Sequence, residues 1–77
     1  MEEKTESYKP GTRFLFLADY FEASGILDDW MEGGYACDLR VRRAKTPKRV
    51  VVEVTDVLVA AMIRRFHPLV KVAVVKP

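Results

Sequence analysis

Apolar and polar residues alternate from Tyr35 to Arg43. Tyr35, Cys37, Leu39 and Val41 fall on one side, and Ala36, Asp38, Arg40 and Arg42 on the other. A period of two predicts a strand with one buried face. Ala44-Lys-Thr-Pro-Lys48 reads as a turn, with Pro47 setting its own φ. Arg49 to Thr55 is dense in β-branched residues and predicts a second strand, with Val50, Val52 and Val54 inward and Val51, Glu53 and Thr55 outward. The short connection makes 35–43 and 49–55 an antiparallel hairpin. Asp56 then stands where a helix N-cap is needed, and Val57 to Phe66 predicts a helix that Pro68 prevents from continuing. Valine-rich Leu69 to Val75 predicts a last strand.

The first half supports two patterns. In one, Thr12 caps a helix over 13–24, Gly25 closes it, and Phe14, Leu17, Ala18 and Phe21 form its buried stripe. In the other, Arg13 to Leu17 is a strand and the helix begins at Ala18. The second places Gly25 inside a helix, at a cost of about 1 kcal/mol relative to alanine. The first order is therefore favoured: αββαβ, a small two-layer α+β sandwich. The alternative is βαββαβ, the ferredoxin-like order. Residues 1–11 are polar and end at Pro10-Gly11, so they are expected to form a flexible arm before a single domain over 12–77.

With 77 residues, the chain sits near the lower size limit for folding alone. Its single cysteine, Cys37, excludes an internal disulfide framework and fits a reducing, cytoplasmic setting. No apolar run approaches the length of a membrane helix, and the charged start is no secretory signal.

Charge changes the picture more than composition does. Residues 1–39 hold nine acids and three bases, net −6, whereas residues 40–77 hold ten bases and two acids, net +8. Arg40, Arg42, Arg43, Lys45, Lys48 and Arg49 make six of the ten residues from 40 to 49 basic. A basic hairpin can follow a phosphate backbone, because guanidinium forks match phosphate oxygens. Charge at a hairpin tip also keeps an edge soluble.

Little else points to chemistry. His67 is the only histidine, so no zinc set exists. Asp19, Glu22, Asp28, Asp29 and Glu32 lack the spacing of a calcium loop and read as a solvated helix end. No catalytic group, metal site or cofactor is predicted. An RNA-recognition motif needs stacking aromatics on its third strand, and Val50-Val-Val-Glu-Val54 has none.

The expectation is a small non-enzymatic binding protein. Its basic hairpin, 40–49, takes nucleic acid or another anionic partner. The competing expectation is a protein–protein adaptor or inhibitor, of the size of many phage-encoded regulators, that uses its acidic first half or an apolar sheet face. Val51, Ala73 and Val75 fall on that second sheet face and predict a protein or homodimer interface, since oligomerisation is a usual support for so small a core.

Overall fold

The structure, a computed structural model, describes residues 8–34 and 39–77. Four strands and two helices follow one another as β1 (Arg13–Asp19), α1 (Tyr20–Glu32), β2 (Leu39–Arg43), β3 (Arg49–Val54), α2 (Val57–Phe66) and β4 (Lys71–Val75). The strands form one antiparallel sheet in the order β2-β3-β1-β4. The result is a small mixed α+β architecture.

The first segment corrects the favoured reading. Residues 13–19 are a strand, so the element order is βαββαβ and not αββαβ. Burial alternates along β1: Phe14, Phe16 and Ala18 are buried, while Leu15 and Leu17 are half-buried on the other side. The expected helical stripe is thereby dismantled. Leu17 faces away from the core, and Phe21 is 87% exposed. Helix α1 begins directly at the end of β1, where Asp19 and Glu22 form a capping box. The Glu22 amide donates to Asp19 Oδ1 (2.6 Å), and the Asp19 amide donates to Glu22 Oε1 (3.0 Å). Two orphan amides of the first turn are satisfied without any connecting loop.

Gly25 closes no helix; it sits mid-helix, and the C-cap is Gly33. A Cβ on Gly25 would lie 3.2 Å from His67 Cε1. The missing side chain is what lets the end of α2 approach α1. There the His67 ring meets Asp29, with 2.8 Å between Nε2 and Oδ2. The helical cost of glycine is thus exchanged for close helix–helix contact.

The second half folds as its pattern predicts, with shorter ends. Val50, Val52 and Val54 are buried, and α2 spans 57–66, with Asp56 accepting from the Leu58 and Val59 amides. The last strand runs 71–75 rather than 69–75, and β3 stops at Val54. The Tyr35–Asp38 part of the first hairpin strand lies outside the described residues. In the described part, Leu39 packs against the core but Val41, at the sheet edge, is exposed. Residues 1–7 of the expected arm are likewise outside. Tyr8 meets Phe14 edge to face at 5.0 Å between ring centroids, and Lys9 accepts from both the amide and hydroxyl of buried Thr12.

Both helices cover the same side of the sheet. Ile26 from α1 and Val59, Ala60, Met62 and Ile63 from α2 close over Phe14, Phe16, Val52 and Val54. Among the described residues, no helix is long and apolar enough to cross a membrane.

Two stability outcomes follow. Asp19→Ala removes the capping box and is expected to cost about 1 kcal/mol in urea unfolding. Gly25→Ala is expected to change stability little in the native background, because the gain in helix propensity is offset by crowding against His67. In a His67→Ala background the same change should stabilise by about 1 kcal/mol. Equal effects in the two backgrounds would show that the ring does not constrain Gly25.

Candidate anion-binding face of the sheet

The strand register decides which side chains share the side of the sheet that the helices leave uncovered. Arg40, Glu53, Leu15 and Ala73 lie in one cross-strand row, and Arg42, Val51, Leu17 and Lys71 in the next. Arg13 stands opposite Val75, and Arg49 opposite Asp19. Five bases therefore lie on the open face: Arg13, Arg40, Arg42, Arg49 and Lys71. They come from all four strands. Between them runs an apolar strip of Leu15, Leu17, Val51, Ala73 and Val75.

Glu53 sits in the middle of this face and is only 8% exposed. A buried carboxylate must be paired. Arg42 reaches it diagonally from β2, with Nη1 donating to Oε1 at 2.7 Å, and Arg13 approaches from β1 at 3.8 Å. The two arginine side chains remain about half exposed while the carboxylate between them is buried. Arg40, Arg49 and Lys71 have no ion-pair partner among the described residues. Glu53, with Asp19 opposite Arg49, thus offsets part of the charge, and Glu53 tethers Arg42 by a hydrogen bond and Arg13 by a longer ion pair.

The six bases expected to act as one ribbon are divided by the fold. Arg40, Arg42 and Arg49 lie on the open face. Arg43 pairs with Val50 and points to the helix side at the sheet edge. Lys45 and Lys48 are exposed at the hairpin turn, where Lys48 adopts φ 63°. Arg13 and Lys71 were not expected at the site, because nothing in their local sequence links them to 40–49. Of the expected interface residues, Ala73 and Val75 lie on edge strand β4, whereas Val51 lies on β3 with β1 between them.

Four acids lie in the helical layer. Glu22, Asp28, Asp29 and Glu32 all belong to α1, which carries no base. The charge contrast between the two halves of the chain becomes in large part a contrast between the layers of the sandwich; Arg64 and Arg65 at the end of α2 and Arg43 on the helix side of β2 depart from it, as do Asp19 and Glu53 on the open face. Phe14 and Phe16, the aromatics of the central strand, are buried under the helices and unavailable for stacking. Among the described residues, no group of three or more His, Cys, Asp or Glu side chains could hold a metal ion. In comparisons with known proteins, no family model, no curated protein and no solved structure matches this chain.

Arg42→Ala is expected to destabilise by about 1 kcal/mol, a modest value because the arginine is half exposed. Arg13→Ala, at the longer distance, should cost less. The double variant should cost more than the two together, since buried Glu53 then loses both cations. Strict additivity in urea unfolding would refute this bracketed arrangement.

Proposed function

We propose that this protein is a non-enzymatic nucleic-acid-binding domain that contacts the phosphate backbone with the open face of its sheet. The observation that carries this reading is the convergence of five bases from four strands on the face of the sheet opposite the helices. The element order and the strand order β2-β3-β1-β4 support a ferredoxin-like sandwich, in which such a face is left free by helices on the other side. The acids of α1 lie in the other layer, so an anionic chain is attracted to one side and repelled from the other. A reducing, cytoplasmic setting belongs to the same proposal and rests on the single cysteine.

Recognition by this face is a matter of phosphates. The open-face positions of the four strands carry no aromatic side chain to stack on bases, so sequence preference is weak. With five bases and the buried Glu53 as counter-charge, about four phosphates are neutralised. The logarithm of affinity should fall with the logarithm of salt at a slope of about −3 to −4 on duplex DNA, and about −3 on single strands.

Fluorescence anisotropy with labelled DNA and RNA oligonucleotides at low salt tests the reading. Arg40→Ala combined with Arg49→Ala should weaken binding and flatten the salt slope by about two. Arg43→Ala, on the other side of β2, should leave both nearly unchanged. Glu53→Gln should tighten binding, because it removes the one acid buried within the face. If neither nucleic acid binds, and the open-face variants instead abolish retention of a protein, the adaptor or inhibitor reading replaces this one.

A further inference from the structure

The two edges of the sheet differ in kind. An edge strand exposes unpaired backbone groups and is normally protected by charge, proline, a bulge or a covering element. Edge β2 has such protection: Arg40, Arg42 and Arg43 are three of its five residues. Edge β4 has little. Its sequence is Lys71-Val-Ala-Val-Val75, its register with β1 is unbroken, and Val74 is 42% exposed on the helix side.

We propose that β4 pairs antiparallel with β4 of a second copy, about a twofold axis through Ala73. Charge and side-chain parity single out this occupant. About that axis Lys71 faces the partner's Val75, Val72 faces the partner's Val74, and Ala73 faces its own equivalent. No like charges meet. The β-branched pair lies on the helix side in both copies, so the buried face of each sheet continues into the other. The same operation on β2, about Val41, sets Arg40 directly against the partner's Arg42 and is repulsive. Pairing β4 with β2 of another copy brings Lys71 to an edge dense in arginine and leaves a free edge for indefinite growth. Only the β4 pairing is closed, apolar and free of charge conflict.

A twofold axis perpendicular to the sheet puts both sets of helices on one side and both open faces on the other. The row Arg42–Val51–Leu17–Lys71 then continues across the seam into the partner's Val75 and Arg13. Each Lys71 gains a second base two strands away, and the basic faces merge into one surface. This consequence rests on the proposed nucleic-acid reading; the pairing itself does not.

Light scattering and cysteine trapping test the pairing. At tens of micromolar concentration, a range set by ordinary interface affinities, the mass should be twice 8.8 kDa. Ala73→Lys sets two like charges against each other on the axis, and should return the mass to one chain while circular dichroism stays that of a folded protein. In a Cys37→Ser background, Ala73→Cys should form an intermolecular disulfide on oxidation at least about tenfold faster than Thr46→Cys, which lies at the exposed hairpin turn. A native mass of one chain, a dimer that survives Ala73→Lys, or equal trapping at the two positions would overturn the proposal. None of these readouts involves nucleic acid. A monomer that binds oligonucleotides refutes the pairing alone, and a dimer that binds none refutes the binding reading alone.

Discussion

Strand β1 is hydrogen-bonded on both sides, and Phe16 stands opposite Val52 of β3 and Val72 of β4. Every other placement depends on this double register. A slip of one residue would turn Phe14, Phe16 and Ala18 to the open side and force Arg13, Leu15 and Leu17 under the helices. The aromatic volume of Phe14 and Phe16 fits only between the sheet and the two helices, where Ile26, Val59 and Ile63 close over it. In a domain this small, losing that packing would exceed the total stability available. The same register aims Asp19 at the first turn of α1, so the strand's last residue also starts the helix.

The helical layer is held by a different compromise. Glycine within α1 is unfavourable in isolation, yet its bare backbone admits the His67 ring, which then bonds Asp29 one turn further along. Local propensity gives way to contact between elements distant in sequence. The acids of α1 lie in the layer opposite the sheet bases, and Asp29 among them is held by His67.

Segregation of charge links fold to function. Arginine and lysine from four strands share a face because the strands alternate with a common parity. The face stays folded despite that charge because Glu53 is buried among the bases and bonded by Arg42. A carboxylate at this position serves stability and lowers the net charge, so the surface gathers positive charge while limiting its self-repulsion. The sheet edges differ as well: arginine lines β2, whereas valine and alanine dominate β4.

Sequence by itself determined the elements whose two faces differ in polarity. The strand 49–54 and the helix 57–66 with its Asp56 cap are legible from spacing alone, because water on one side and core on the other leave a periodic trace. Residues 14–18 leave no such trace. Phe14-Leu-Phe-Leu-Ala18 is apolar on both faces, as a central strand flanked on both sides can be, and period two cannot be told from period 3.6 in an unbroken apolar run. The Asp19-Tyr-Phe-Glu22 capping box was the readable signal that a helix starts at Tyr20 and not at Arg13. The basic cluster at 40–49 was legible as composition, but its division between two faces was not. Only the tertiary structure decided that Arg13 and Lys71 join Arg40, Arg42 and Arg49 while Arg43 is turned away, because cross-strand register is a long-range property. It is settled by which hydrophobic side chains must be buried together, and no local window of the chain contains that information.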